Sequence, residues 1–274
     1  MKNAKPIQTP QFASSHVWQH RRLIFTLAKR EVSARFRGSI LGVFWALLLP
    51  LTMLAIYSLV FGVIFKARWG VETGAKGEFA IILFTGLLLH ALLADLITRS
   101  PLLMVHNANF VKKVVFPLEI LPVVALLSGL FQFCVGFAVL LVGAVLVYGT
   151  LPLTLLFAPL IVWPFACIVL GGCWFLAAVG VYFRDIAQVM GVAATLLLFF
   201  STVFYPAEHL PAALQPLIYL NPISFAADQL RLVTLQGAWP DWNGLALYYA
   251  AAFFALAFGF AVFQRARKGF ADVL

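Results

Sequence analysis

The chain has 274 residues, 63% hydrophobic and 11% charged, with a formal net charge of +9. Soluble domains carry roughly 25% charged residues, so this composition excludes a soluble enzyme, a nucleic-acid-binding domain and a disordered scaffold. The apolar runs are continuous rather than alternating, which excludes a membrane β-barrel and leaves an all-α, polytopic membrane protein.

About 38 polar-to-amphipathic residues precede the first long apolar run, which argues against a signal peptide. Within them, Ile24, Phe25, Ala28, Val32 and Phe36 recur at helical spacing, with Arg21, Arg22, Lys29, Arg30 and Arg35 between them and Arg37 just after. The pattern predicts an amphipathic helix over 17–36, lying along the inner membrane surface or projecting as a basic helix into the cytoplasm. Spans of about 20 apolar residues follow at 41–65 and 79–97. Residues 120–183 then run for 64 positions without a formal charge, broken only by the turn signal Tyr148-Gly149-Thr150-Leu151-Pro152. That places spans at about 118–147 and 153–182. A fifth is predicted at 186–204 and a sixth at 243–263. Between these two, Pro211, Pro216 and Pro222 break any spanning helix, so 205–235 reads as short re-entrant helices at the outer face. The whole of 1–274 is one transmembrane domain.

Fifteen of the 19 Lys and Arg fall before the first span, between the second and third, between the fourth and fifth, or in the tail. The positive-inside rule therefore puts both termini in the cytoplasm, in agreement with six spans. This clustering between spans also argues against a nucleic-acid partner.

No Gly-x-x-x-x-Gly-Lys-[Ser/Thr] is present, so the chain has no P-loop of its own. Neither a Gly-x-Ser-x-Gly elbow nor a His-Glu-x-x-His zinc motif occurs. Cys134, Cys167 and Cys173 lie inside apolar runs and read as small buried hydrophobes. His90 and Gln132 sit mid-span as hydrogen-bonding packing residues. Asp95, Glu119 and Asp185 fall near cytoplasmic ends, and nothing resembles a proton relay. No residue set reads as catalytic or metal-binding. The 27 Phe, 7 Trp and 7 Tyr stand out. Tyr57, Phe61 and Phe65 make one stripe toward the outer end of the first span. Phe200 and Phe204 sit a turn apart in the fifth, beside Phe199 and Tyr205. These rings suit either stacking on sugar faces or packing against lipid and neighbouring helices.

Four strings carry a family resemblance: Lys29-Arg30-Glu31 followed by RFRGSILGVFWALLLP at 35–50, NANFVKKVVFPLEILPVV at 107–124, YFRDI at 182–186, and LNPISFAADQLR at 220–231. In this order they resemble the membrane subunits of polysaccharide-exporting ABC transporters, which serve O-antigen, capsular polysaccharide and teichoic acid. The resemblance covers about residues 20–265. It implies six spans, a homodimer, and two copies of a cytoplasmic P-loop ATPase that binds ATP and magnesium, so the chain itself needs no cofactor and is no enzyme. It implies a channel for a lipid-linked polysaccharide at the dimer interface, near the first and fifth spans, which would bring Tyr57, Phe61, Phe65, Phe199, Phe200 and Phe204 to its wall. It also implies ATPase coupling through the 99–116 loop, with Asn109, Lys112 and Lys113, and through Phe183, Arg184 and Asp185. The interface helix, with Arg30, Arg35 and Arg37, adds a contact. A permease for another lipid or a drug shares the six-span plan. A membrane enzyme would need carboxylates, His or Ser converging at one depth, and a purely structural protein leaves the basic helix and the Pro-rich element without a role.

Overall fold

The computed structural model describes residues 19–64, 77–113, 116–211 and 215–274, and the regular structure among them is helical throughout. Helix α1 (Arg21–Arg35) precedes α2 (Trp45–Tyr57), which continues as a π-helical stretch over Ser58–Ile64. Then come α3 (Glu78–Arg99), α4 (Ala108–Lys113), α5 (Ile120–Tyr148), α6 (Ala158–Tyr182), α7 (Ile186–Phe199), α8 (Pro222–Arg231) and α9 (Trp242–Ala266). Among the described residues, five helical stretches are long and apolar enough to cross a membrane: Gly42–Phe61, Glu78–His106, Ile120–Tyr148, Leu153–Tyr182 and Trp242–Val273. They coincide with the first four predicted spans and the last. Gly149, at φ 81°, ends α5 where the turn was expected, in a conformation that costs glycine least.

The predicted span at 186–204 takes a different form. Its helix ends at Phe199 after 14 residues, about 21 Å at 1.5 Å per residue, against about 30 Å of hydrocarbon. The cause is a polar C-terminal cap. Asn221 donates Nδ2–H to the carbonyls of Leu197 (2.7 Å) and Phe200 (2.8 Å), and the Tyr205 hydroxyl donates to the carbonyl of Phe199. These carbonyls lose their continuing helical donors and gain side-chain ones. Short helices over Gln215–Tyr219 and α8 follow, in the segment where proline density predicted them.

α3 is the axis of the bundle, packing against α5, α7, α8, α6 and α2. Of its most apolar stretch 72% is buried, against 11% in α2, so α2 is outer wall rather than core. α6 and α9 cross with their backbones in contact. A Cβ on Gly171 would overlap the backbone of Ala255, and one on Gly259 would overlap that of Gly171. Small residues allow this approach, and dispersion between backbones then replaces the hydrophobic drive that lipid cannot supply.

α1 lies against α5 through Ile24, Leu27 and Ala28. The spacing placed Phe25 on this buried stripe; instead it is 71% exposed and Leu27 takes the place. The helix turns its 24-27-28 face to protein, and Phe25 lies about a quarter-turn away from Ile24. The predicted start of the helix, residues 17 and 18, lies outside the described residues.

Candidate coupling face and channel wall

One end of the bundle carries α1, α4, the turn 183–185 and the tail. Its charges are partly paired. Asp95, at the end of α3, accepts from Arg35 of α1 (2.8 Å) and from Arg99 (2.7 Å), and Arg99 also reaches Glu31 (2.9 Å). Two sequence-distant elements are thereby tied by one carboxylate–guanidinium network, with side chains between 26% and 35% exposed. Networks of this kind position elements more than they stabilise them. A cleft of about 440 Å³ opens beside the network, lined by Arg30, Glu31, Arg99, His106 and Asn107 over a floor that includes Leu27 and Leu121.

Arg30 and Arg37 are exposed, as are Asn109, Arg184 and Asp185. Lys112 and Lys113 close α4, and their side chains lie outside the described residues. Phe110 of α4 stacks on Phe116 at 4.6 Å between centroids. Phe183 is 68% exposed beside Arg184, where the chain turns directly from α6 into α7. The predicted interface and coupling residues with described side chains thus share one end of the bundle, with a surplus of exposed positive charge. The pairings through Glu31, Asp95 and Arg99 were not legible in advance, because carboxylates at the ends of different helices give no spacing signal.

The opposite end is held by a second polar group. Arg231, 4% exposed, donates to the carbonyls of Ile82 (3.0 Å), Thr202 (2.7 Å) and Val203 (3.0 Å), and pairs with Asp228 at 3.3 Å. It therefore pins the break after α7 to α3. Burial pulls the Arg231 guanidinium down to about 10, with Asp228 opposing, so it remains charged at neutral pH. Burial raises the Asp228 carboxyl above its ordinary value, against the pull of Arg231. Burial, then the charge of Asp228, push the Tyr219 hydroxyl up to about 12. Asn221 works at both ends of the connection. Its Oδ1 accepts from the N–H of Ile223, starting α8, while its Nδ2 closes α7. Asn followed by Pro at the first helical position is the sequence signal for such a cap. The double role had no such signal.

The aromatic residues fall into two sets. Tyr57 and Phe61 are half-buried 6.3 Å apart, and Phe61 lies 5.5 Å from Phe79 of α3. Phe65 lies outside the described residues. Phe199 and Phe200 are 56% and 57% exposed. They continue an exposed apolar stripe on α7 through Val189, Val192 and Leu196. Phe204 is not a helical turn beyond Phe200, because the helix has ended; it stacks instead on Phe199 at 5.6 Å. The mid-span polar residues act in packing as expected. His90 Nε2 lies 3.0 Å from the carbonyl of Ala194, and Gln132 donates to the carbonyl of Ala46 at 3.0 Å.

Comparison with known proteins adds a family. The profile of the ABC-2 type transporter family matches residues 22–235. An O-antigen export system permease protein RfbA from Myxococcus xanthus is 26% identical over 260 residues, 93% of this chain and 96% of the relative. One of the same name from Klebsiella pneumoniae is 22% identical over 255 residues, 92% of this chain and 95% of the relative.

Proposed function

The chain belongs to the ABC-2 type transporter family, and from that premise we propose that it is the membrane-spanning subunit of an ATP-driven exporter of a lipid-linked, O-antigen-like polysaccharide. The observation that carries the reading is end-to-end similarity: relatives named as O-antigen export permeases align over nine-tenths of both chains. In this reading two copies of the chain pair with two copies of a P-loop ATPase, which binds ATP and magnesium. The basic end faces the cytoplasm, as the positive-inside rule requires. ATP binding draws the ATPases together, and their movement enters through α1, Asn109, Lys112 and Lys113 of α4, and Arg184 and Asp185. The network Arg35–Asp95–Arg99–Glu31 makes α1 and the end of α3 move together.

The glycan passes along a wall formed by Tyr57, Phe61 and Phe65 of the first span and by Phe199, Phe200 and Phe204. A hydrated polymer needs contacts weak enough to release, and ring faces supply repeated, direction-tolerant ones. The short α7 leaves the outer part of this path to the connection that Asn221 and Arg231 hold.

The test is reconstitution of this chain with the P-loop ATPase encoded beside it, in vesicles supplied with lipid-linked O-antigen. Glycan should cross the bilayer only with both subunits and ATP. Transport of an unrelated lipid or drug with no glycan movement would overturn the reading, and transport of capsular polysaccharide or teichoic acid alone would reassign its substrate.

A further inference from the structure

The geometry points to the C-terminal tail, from Ala266 to Leu274, as a staple that makes the two coupling elements, α4 and the 183–185 turn, move as one body. This rests on the reading above for what the elements do, but the contacts stand on their own.

α4 and the 183–185 turn belong to different connections, with all of α5 and α6 between them in sequence. The tail touches α4 and, at the end of α6, Tyr182, the residue directly before the turn. Its last turn, Phe270–Val273, packs against α4 and against the end of α6. Phe270 is fully buried, in one cluster with Met104, Leu118, Trp174, Val181 and Phe263. Its ring meets Phe263 edge-on at 5.5 Å and lies 6.3 Å from Tyr182. Tyr182 is the last residue of α6 and directly precedes the turn; its hydroxyl donates to the carbonyl of Ala266 at 3.0 Å. That carbonyl stands where α9 gives way to a 3-10 turn over Arg267–Gly269. The hydroxyl also occupies the space over Gly269, so a larger residue at 269 would push against it. On the other side, Arg267 pairs with Glu119 at 2.8 Å. Glu119 directly precedes α5, and its side chain is 2% exposed. The ion pair of a buried carboxylate fixes the separation of the two segments that carry it.

One nine-residue segment is thus fastened to the α4–α5 connection by an ion pair and a buried ring, and to the end of α6, directly before the 183–185 turn, by a hydroxyl and ring contact. A push on either connection is shared through the tail. Arg267, Phe270 and Tyr182 are positioning residues for coupling.

The experiment has two arms. The first uses the isolated permease with its native cysteines replaced and spin labels at Asn109→Cys and Arg184→Cys. A control pair sits at the other end, Leu153→Cys and Trp239→Cys. Arg267→Gln and Phe270→Ala should broaden the Asn109–Arg184 distance distribution and leave the control pair unchanged. An unchanged distribution overturns the staple, and so does equal broadening at both ends, which would mean general loosening. The second arm measures glycan export per ATP hydrolysed in the reconstituted complex, without labels. Tyr182→Phe and Arg267→Gln should lower that ratio about fivefold with the amount of bound ATPase unchanged. A normal ratio overturns the role in coupling. If the wild type binds no ATPase, the functional reading falls, while the first arm still decides whether the tail joins the two elements.

Discussion

Pro50 and Pro164 each lie inside an apolar helix, and each removes the backbone N–H that would bond the carbonyl four residues earlier. In both cases a neighbouring helix supplies the missing donor. Gln132 of α5 donates to the carbonyl of Ala46, and the Tyr249 hydroxyl of α9 donates to that of Leu160 at 2.9 Å. Such pairing is what allows proline inside an apolar span. Gln132→Leu should cost about 1–2 kcal/mol of stability in detergent. In a Pro50→Ala background most of that cost should vanish, because residue 50 then carries its own N–H. Equal costs in the two backgrounds, measured by denaturant unfolding, would show that Gln132 does something else. Asn221→Ala loses a helix start and a helix end together and should destabilise by about 2 kcal/mol. Asn221→Asp keeps the acceptor for Ile223 but not the donors to Leu197 and Phe200. It should therefore open the end of α7 to proteolysis or hydrogen exchange while α8 stays protected.

At the scale of elements, α6 and α9 are placed by contact at Gly171 and Gly259 that no side chain can enter. Gly171→Leu should cost about 1–3 kcal/mol by overpacking, read as a lower melting temperature and less monodisperse protein. Gly172→Leu is its control, since a Cβ on Gly172 meets nothing within 4 Å. Comparable losses from both would mean that the site responds to any bulky residue. α7 poses a different question, because its apolar stripe ending in Phe199 and Phe200 is exposed in the single chain. As channel wall, cysteines at Phe199 and Phe200 should react with a water-soluble maleimide in the assembled exporter, and saturating glycan should slow the reaction. Cysteine at Leu146, 82% exposed near the outer end of α5, should react no more slowly with glycan than without. Absence of labelling at both phenylalanines would assign the stripe to lipid or to the second copy.

For the whole molecule, the proposed mechanism has force enter at one end and the path shaped at the other, with α3 running between them. α3 is tied to α1 by Asp95 and Arg99 at its end, to α7 by His90 at its middle, and to the break after α7 by the Ile82 carbonyl near its start. A rigid central helix with polar ties at three depths is suited to carry displacement along the bundle. The chain has no P-loop, so the purified protein alone should hydrolyse no ATP above background. Turnover that persists in the single chain after contaminating ATPases are removed would contradict the division of labour.

Most of the architecture was legible because its determinants are local. Long uncharged runs, the Gly149 turn, the prolines of 205–235 and the basic segments are properties of neighbours in sequence, and they placed the first four predicted spans and the last. The short helices after α7 and the roles of His90 and Gln132 in packing followed from the same reasoning. What remained hidden was decided between distant residues. In a chain apolar on nearly every face, hydrophobic periodicity cannot say which face meets lipid and which meets protein, so Phe25 and Leu27 exchanged places. The end of α7 was set by Asn221, 21 residues beyond Phe200. The burial of Arg231, the Glu119–Arg267 pair and the Gly171–Gly259 crossing likewise join positions that no local pattern links. Apolar content determined which segments leave water. Carbonyls in need of donors, charges in need of partners and backbones able to touch determined how those segments meet, and these requirements are satisfied only in three dimensions.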